Sequence, residues 1–237
     1  MKILKNWDNK TWLSSSKYVS SMISFLEKKI KFNKKIEILD IGCGRGKIIS
    51  TLSKKYQMDS LPIGIDIVDH KSTSKKIEFI KINALKYLNK TKKNFDLILY
   101  KQSIHFFKIT EIKKILNYSK KKLKPKGKII ILALCPKENY WPLFKNFKTQ
   151  LLKSLRRDEI ILRSIKLNLK NYKINYFKFQ VKISRKEYLH MVKNRFTSCL
   201  LKFSNKELKY GIEEISKRYK KKLVFYDKLI SISFEKK

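Results

Sequence analysis

The sequence predicts a doubly wound α/β fold on a mostly parallel sheet, and three observations carry that prediction. Short apolar runs of strand length alternate with amphipathic stretches of helix length through the first half of the chain. The first of these runs, ILDIG, ends in a glycine-rich turn that opens a helix. A Pro–Gly turn, KPKG, then closes a later helix ahead of a wholly apolar run, GKIIILAL, as expected of a strand buried on both faces.

The elements follow in order. Val19, Met22, Ile23, Leu26 and Ile30 repeat at helical spacing and predict a helix from about Ser16 to Ile30. KIEILDIG is the first strand, and Ile48, Ile49 and Leu52 open the helix behind its glycines. LPIGIDIV and IEFIKI are the second and third strands, followed by a short helix near Leu85–Leu88. FDLILY is the fourth strand. Ile112, Ile115, Leu116 and Leu123 mark the helix that KPKG closes, and GKIIILAL is the fifth strand. Residues 137–170 read as helix. INYFKFQVKI reads as a strand, and SRKEYLHMVKNRF and NKELKYGIEEISKRY as helices. LVFYDKLISISFE reads as a last strand, or as a strand pair turning near Asp227. The helices between the last strands are expected to cap one edge of the sheet.

With 237 residues, 43% of them hydrophobic, the chain can bury one substantial core. We read it as a single domain over 1–237: an N-terminal segment 1–34, a binding core 35–134, and a C-terminal half 135–237 that carries the cap. The formal net charge is +39. The excess is almost all lysine, with seven arginines, and Ile and Asn are abundant as well. That mixture is what AT-rich codons produce, whereas nucleic-acid sites favour arginine for bidentate contacts. Compositional bias is therefore the leading reading of the charge, and a nucleic-acid partner the second. Cys43, Cys135 and Cys199 form no CxxC pair and no cluster with the three histidines, so neither a metal site nor a disulfide framework is expected. MKILKNWDNKTW has no apolar stretch of signal-peptide length, and no apolar run reaches the ~20 residues of a membrane span. The expected compartment is the cytoplasm.

The stretch ILDIGCGRGKII places Gly42, Gly44 and Gly46 two apart behind Asp40. Bare backbone at the carboxyl end of a strand lets a ligand approach closely. Dinucleotide sites use GxGxxG and set a pyrophosphate on the helix N-terminus. Here the spacing is GxGxG, and an acid beside the turn repels a pyrophosphate while suiting an ammonium group.

ILDIGCGRG resembles motif I, (V/I/L)LDxGxGxG, of class I S-adenosylmethionine-dependent methyltransferases. The resemblance runs on in order over about Lys35–Leu134. GIDI puts Asp66 24 residues after Gly42, and INAL, FDLILYKQSIHFF and LKPKGKIIIL match the later segments. Lys126 stands where the family has a second glycine. The resemblance implies a Rossmann-like, seven-stranded, mostly parallel sheet with its last strand antiparallel, an N-terminal lid helix, and a helical cap inserted before the last strand. It implies S-adenosylmethionine as cofactor and S-adenosylhomocysteine as product. Asp40, Gly42, Cys43, Gly44 and Gly46 are expected at the amino-acid end of the cofactor, Asp66 and Ile67 at the ribose, Asn83 and Ala84 at the adenine edge, and Lys101 and Gln102 beside the methyl group. A carboxylate offers two acceptor oxygens to a vicinal diol, which suits Asp66.

On the acceptor side, YKQS lacks the proline-rich (D/N)PP(F/Y) clamp of amino-group enzymes acting on nucleobases or protein amides. Cys135-Pro136 reverses the order found in carbon-5 pyrimidine enzymes. His105 is the candidate catalytic or substrate-contacting residue, since imidazole accepts a proton near neutral pH. Trp7, Trp12 and Tyr18 are candidate lid residues, with Trp12 and Tyr18 expected to contact the substrate. Tyr188, Met191 and Arg195 are expected on one helical face, with Tyr188 and Arg195 contacting substrate. The cap and N-terminal segment resemble the group that includes trans-aconitate and juvenile-hormone-acid methyltransferases. The expected acceptor is a small molecule, a carboxylate or another anionic metabolite. The alternatives are an RNA methyltransferase that holds phosphates on its basic surface, and a scaffold that has lost cofactor binding.

Overall fold

The computed structural model describes residues 11–70, 73–136 and 140–237; Trp7 lies outside them. A 3₁₀ turn at Trp12–Ser14 leads into α1 (Ser16–Glu27), whose first turn is capped by the Ser15 hydroxyl accepting from the Tyr18 N–H at 3.2 Å. The core then alternates: β1 (Ile38–Ile41), α2 (Lys47–Tyr56), β2 (Ile63–Asp66), β3 (Glu78–Lys81), α3 (Ala84–Lys90), β4 (Phe95–Lys101), α4 (Ile109–Lys121) and β5 (Leu123–Leu134). After α5 (Lys145–Asn168) come β6 (Lys173–Ser184), α6 (Arg185–Lys193), a 3₁₀ turn at Ser198–Lys202, α7 (Asn205–Arg218) and β7 (Lys222–Glu235).

The seven strands form one sheet in the order β3-β2-β1-β4-β5-β7-β6. The β1–β5 neighbours pair in parallel, and β7 runs antiparallel between β5 and β6. Successive strand residues serve opposite layers. Leu97, Leu99, Ile130 and Leu132 pack on the α1–α2 side, and Ile98, Tyr100, Ile129 and Ile131 on the α3–α4 side. That two-sided burial is why these strands are continuously apolar.

The structure decides one alternative of the sequence reading and differs from it in two details. LVFYDKLISISFE is one uninterrupted strand, because it pairs residue by residue with β6 from Lys222 to Ser233. α1 stops at Glu27, where the chain leaves the helix to enter the sheet. KPKG lies within β5, with Lys126 at φ 61°, so the lysine occupies the left-handed conformation that favours glycine.

β5 pairs with β7 only as far as the Leu134–Leu229 rung, whereas β6 and β7 stay paired out to Ser184–Lys222. Residues 178–184 and 222–228 therefore rise as a two-stranded ribbon past the carboxyl end of β5. α6, the Ser198–Lys202 turn and α7 connect the ribbon's two strands, and this places the cap beside the edge of the sheet where the glycine turn sits. Among the described residues, no helix is long and apolar enough to cross a membrane.

Candidate functional site

The site begins where β1 runs out. Gly42 has φ 73°, and a Cβ there would overlap the Ser103 side chain. The two loops are thus pressed together, with the Ser103 hydroxyl donating to the Ile41 carbonyl at 2.5 Å. Gly44 is different. Its φ is 55°, and nothing lies within 4 Å of where its Cβ would be, so one face of its peptide opens onto space. Gly46 starts α2 in the left-handed conformation.

Asp66, at the end of β2, grips this turn. Its Oδ2 accepts the Gly44 N–H at 2.9 Å and its Oδ1 accepts the Val68 N–H at 3.0 Å, while His70 Nε2 stands 3.9 Å from Oδ2. Ile67 beside it is 56% exposed, an apolar face presented next to a carboxylate. Asn83 caps α3, its side-chain oxygen accepting from Leu85 N–H at 2.9 Å and Lys86 N–H at 3.3 Å. That oxygen is occupied by the cap. The Ala84 N–H, first of the helix, is one that no intrahelical carbonyl can reach. The Cys43 thiol contacts the Gly44 carbonyl at 3.5 Å, and burial, with Asp40 and Asp66 nearby, pushes its pKa up, so it is no nucleophile.

Asp40 is buried beneath the turn, and its Oδ1 closes no hydrogen bond. Burial raises its pKa to about 7 against the pull of Lys101, and Asp66 adds to the rise. An orphaned carboxylate oxygen under an open glycine peptide fits the ammonium and backbone-contacting end of S-adenosylmethionine. The open side of Gly44 supplies the room.

Lys101 and Gln102 close β4. Gln102 is held at φ 53°, its N–H donating to the Leu132 carbonyl at 2.7 Å, and its side chain accepts from Lys101 Nζ at 3.0 Å. Lys101 Nζ also lies 5.2 Å from the centre of the Tyr18 ring. His105 follows, its ring 4.1 Å from that of Phe106 and its carbonyl bonded by Arg157 at 3.3 Å. Desolvation and then Arg157 push its pKa down to about 4. The imidazole is therefore neutral at pH 7 but a weak base, better suited to a hydrogen bond than to taking a proton.

The N-terminal segment packs onto the cap and the β6–β7 ribbon. Trp12 is buried among Trp141, Tyr188, Phe196 and Phe225, with ring centroids 5.1–6.5 Å apart. Tyr18 packs on Phe177 and Phe179. Tyr188 is fully buried with its hydroxyl unpartnered. Arg195 does not share its face. α6 ends at Lys193, Arg195 turns to φ 52°, and its guanidinium bonds the Phe203 carbonyl at 3.0 Å and Asn205 Oδ1 at 2.9 Å. The helical spacing that grouped it with Tyr188 and Met191 ends one turn too soon. Arg195 ties the cap together through its Nη2, which makes both bonds.

The residue missed from sequence is Asp227. It lies on the ribbon part of β7, fully buried, and its Oδ2 accepts the Trp12 indole N–H at 3.2 Å. Its signal was present in the alternation Leu223, Phe225, Asp227, Leu229, which is the inward face of β7. Among the described residues, the three cysteines are free, and no group of three or more His, Cys, Asp or Glu side chains is placed to hold a metal ion.

Residues 38–127 match the family described as Methyltransferase domain. No curated protein matches the chain. Several solved structures share its fold. A SAM-dependent methyltransferase from Archaeoglobus fulgidus is 20% identical, with 92% of this chain and 94% of that one covered and a TM-score of 0.54. A putative methyltransferase from an antibiotic biosynthesis pathway of Anabaena variabilis is 12% identical, with 90% and 96% covered and a TM-score of 0.62. The plantazolicin methyltransferase BpumL, in complex with a monoazolic desmethylPZN analog and SAH, is 17% identical, with 98% and 88% covered and a TM-score of 0.54.

Proposed function

We propose that this methyltransferase, whose cofactor is S-adenosylmethionine, transfers its methyl group to a small-molecule acceptor held between the Lys101–Phe106 loop, the N-terminal segment and the cap. The observation that carries this reading is the roof. Trp12, Tyr18 and Tyr188 are all buried, so the N-terminal segment and the cap cover that edge with packed aromatic side chains instead of leaving it open. An RNA methyltransferase needs an open basic groove there. The resemblance to trans-aconitate and juvenile-hormone-acid enzymes supports a small acceptor through the same N-terminal helix and cap. Its extension to a carboxylate acceptor lacks the expected anchor, since Arg195 is committed elsewhere.

In this reading Gly42, Cys43, Gly44 and Gly46 cradle the amino-acid end of the cofactor, and Asp40 takes its ammonium group. Asp66 accepts from the ribose hydroxyls while bracing Gly44, Ile67 offers an apolar face to the adenine, and Ala84 N–H with Asn83 borders its edge. Lys101, Gln102 and His105 face the methyl group, and His105 orients the acceptor by a hydrogen bond.

Calorimetry with S-adenosylhomocysteine tests the cofactor half. Asp66→Ala removes two charge-assisted ribose bonds, and affinity is expected to fall by roughly 2–4 kcal/mol. Unchanged affinity would place the ribose elsewhere. Methylation of small molecules against bulk RNA tests the acceptor half, and salt-sensitive turnover on RNA alone would reverse it.

A further inference from the structure

Lysine is what this chain's composition supplies freely: 58 basic residues stand against 19 acidic ones. The site runs against that drift. Asp40 lies in the fields of Lys101 and Asp66, and Asp227 in the field of the same Lys101, so acidic residues converge on one lysine at the carboxyl edge of the sheet. Asp40 and Asp66 belong to the cofactor turn. Asp227 does not. It stands on the β7 ribbon, on the acceptor side.

Asp227 Oδ1 and Tyr18 Oη lack aligned hydrogen-bond partners although their side chains are at least nine-tenths buried, and so do Tyr188 Oη and Trp141 Nε1 on two rings packed against Trp12. The Tyr18 hydroxyl faces the Asp227 carboxylate without closing an aligned hydrogen bond. Buried polar atoms are ordinarily satisfied, and leaving one unsatisfied is costly. Such a set, gathered beside aromatic faces, marks a place shaped for a ligand that brings the missing partners.

We propose that Asp227 is the acceptor-recognition residue of this enzyme, and that the acceptor presents a protonated amine whose N–H bonds Asp227 Oδ1 while its substituents lie against the rings packed around Trp12. The inference rests on the methyltransferase reading and names its substrate class. A carboxylate brought here would face Asp227 and Asp40 with Lys101 already shared between them, whereas an ammonium group meets the acidic side of that balance. An amine becomes nucleophilic only after losing a proton. The N–H bond breaks, the O–H bond forms at Asp227 Oδ1, and neutral amine and neutral carboxyl result. Because Asp227 is fully buried, the acceptor reaches it only when the turn carrying Trp12 lifts.

The test uses the full chain saturated with S-adenosylhomocysteine and calorimetry with shape-matched probes: phenethylamine, 3-phenylpropionate and 2-phenylethanol, together with the butyl and indolylethyl members of each class. The amine of at least one set should bind ten-fold or more tightly than its acid and alcohol counterparts. Asp227→Asn should abolish that preference and leave S-adenosylhomocysteine affinity within about two-fold. Equal or reversed ranking in every set, absence of amine binding included, overturns the proposal, as does a preference that survives in Asp227→Asn. Failure of the parent chain to bind S-adenosylhomocysteine at all overturns the methyltransferase reading instead.

Discussion

The Trp12 indole N–H donates to Asp227 Oδ2 at 3.2 Å, joining residues 215 positions apart in the chain. This one bond fastens the N-terminal segment to the last strand across the mouth of the sheet. A second tie, from Lys47 Nζ to the Ser14 carbonyl at 3.0 Å, fastens the same segment to the first turn of α2, beside the glycines. The roof of the site is therefore pinned to both the acceptor wall and the cofactor turn.

Trp12→Phe keeps most of the ring packing and leaves Asp227 Oδ2 without its donor. The expected loss is about 1–3 kcal/mol in denaturant unfolding. Trp12→Ala also empties the aromatic cluster, so its loss should reach about 3–5 kcal/mol. Equal losses in the two variants would show that the ring's packing contributes nothing here.

Gly42→Ala and Gly44→Ala should separate folding from binding. At Gly42 the new Cβ overlaps Ser103 and also strains a positive φ, so unfolding should come several degrees earlier. At Gly44 there is open space, and only the left-handed backbone penalty of about 1–2 kcal/mol applies. Yet Gly44→Ala should weaken S-adenosylhomocysteine binding more than ten-fold, because the methyl group fills the open face. Tight binding by Gly44→Ala would mean that the cofactor does not approach that peptide.

Burial raises Asp227 from its ordinary 3.8 to about 6, with Trp12, Lys101 and Tyr18 opposing the rise. The native state therefore holds this proton when the unfolded chain has already released it. Stability contributed by the protonated form is lost as pH climbs from about 4 to about 6, and the curve is flat beyond. The rise corresponds to roughly 3 kcal/mol at most. The stability difference between the parent and Asp227→Asn, measured in urea at pH 4, 5, 6 and 8, should shift in the variant's favour across that window. A pH-independent difference would show that Asp227 ionises normally.

His105 carries the opposite shift, down to about 4, so it stays neutral across the physiological range. His105→Gln, which keeps a hydrogen-bonding group, should retain methylation within about ten-fold, a small fraction of what removing a true general base costs. The pH–rate profile should keep its shape. Loss of a limb near pH 6.5 in this variant would restore His105 as the base.

Arg195→Lys should lower the melting temperature without changing the acceptor KM, because Nη2 of the planar guanidinium bonds two cap groups at once and an ammonium on a flexible stem does not reproduce that geometry. A raised KM at unchanged stability would return Arg195 to the substrate.

The strands and the glycine turn were legible in the sequence because their signals are local. Apolar runs, a GxGxG spacing and an acid at the end of β2 depend on neighbours within a few residues, and ILDIGCGRG and Asp66 fall at the strand ends where that spacing put them. The acceptor side was not legible in the same way. Arg195 was grouped with Tyr188 by a helical period that the chain abandons at Lys193, and the turn that ends α6 there answers to packing against Phe203 and Asn205. The sequence left Asp227 either within one last strand or at a turn between two, and only the pairing of β6 along Lys222–Ser233 decided for the single strand. Local periodicity determined the sheet, the cofactor turn and the helices that flank them. Only the tertiary structure brought Trp12 to Asp227, because the partners of a buried carboxylate are chosen by the folding of distant segments over it.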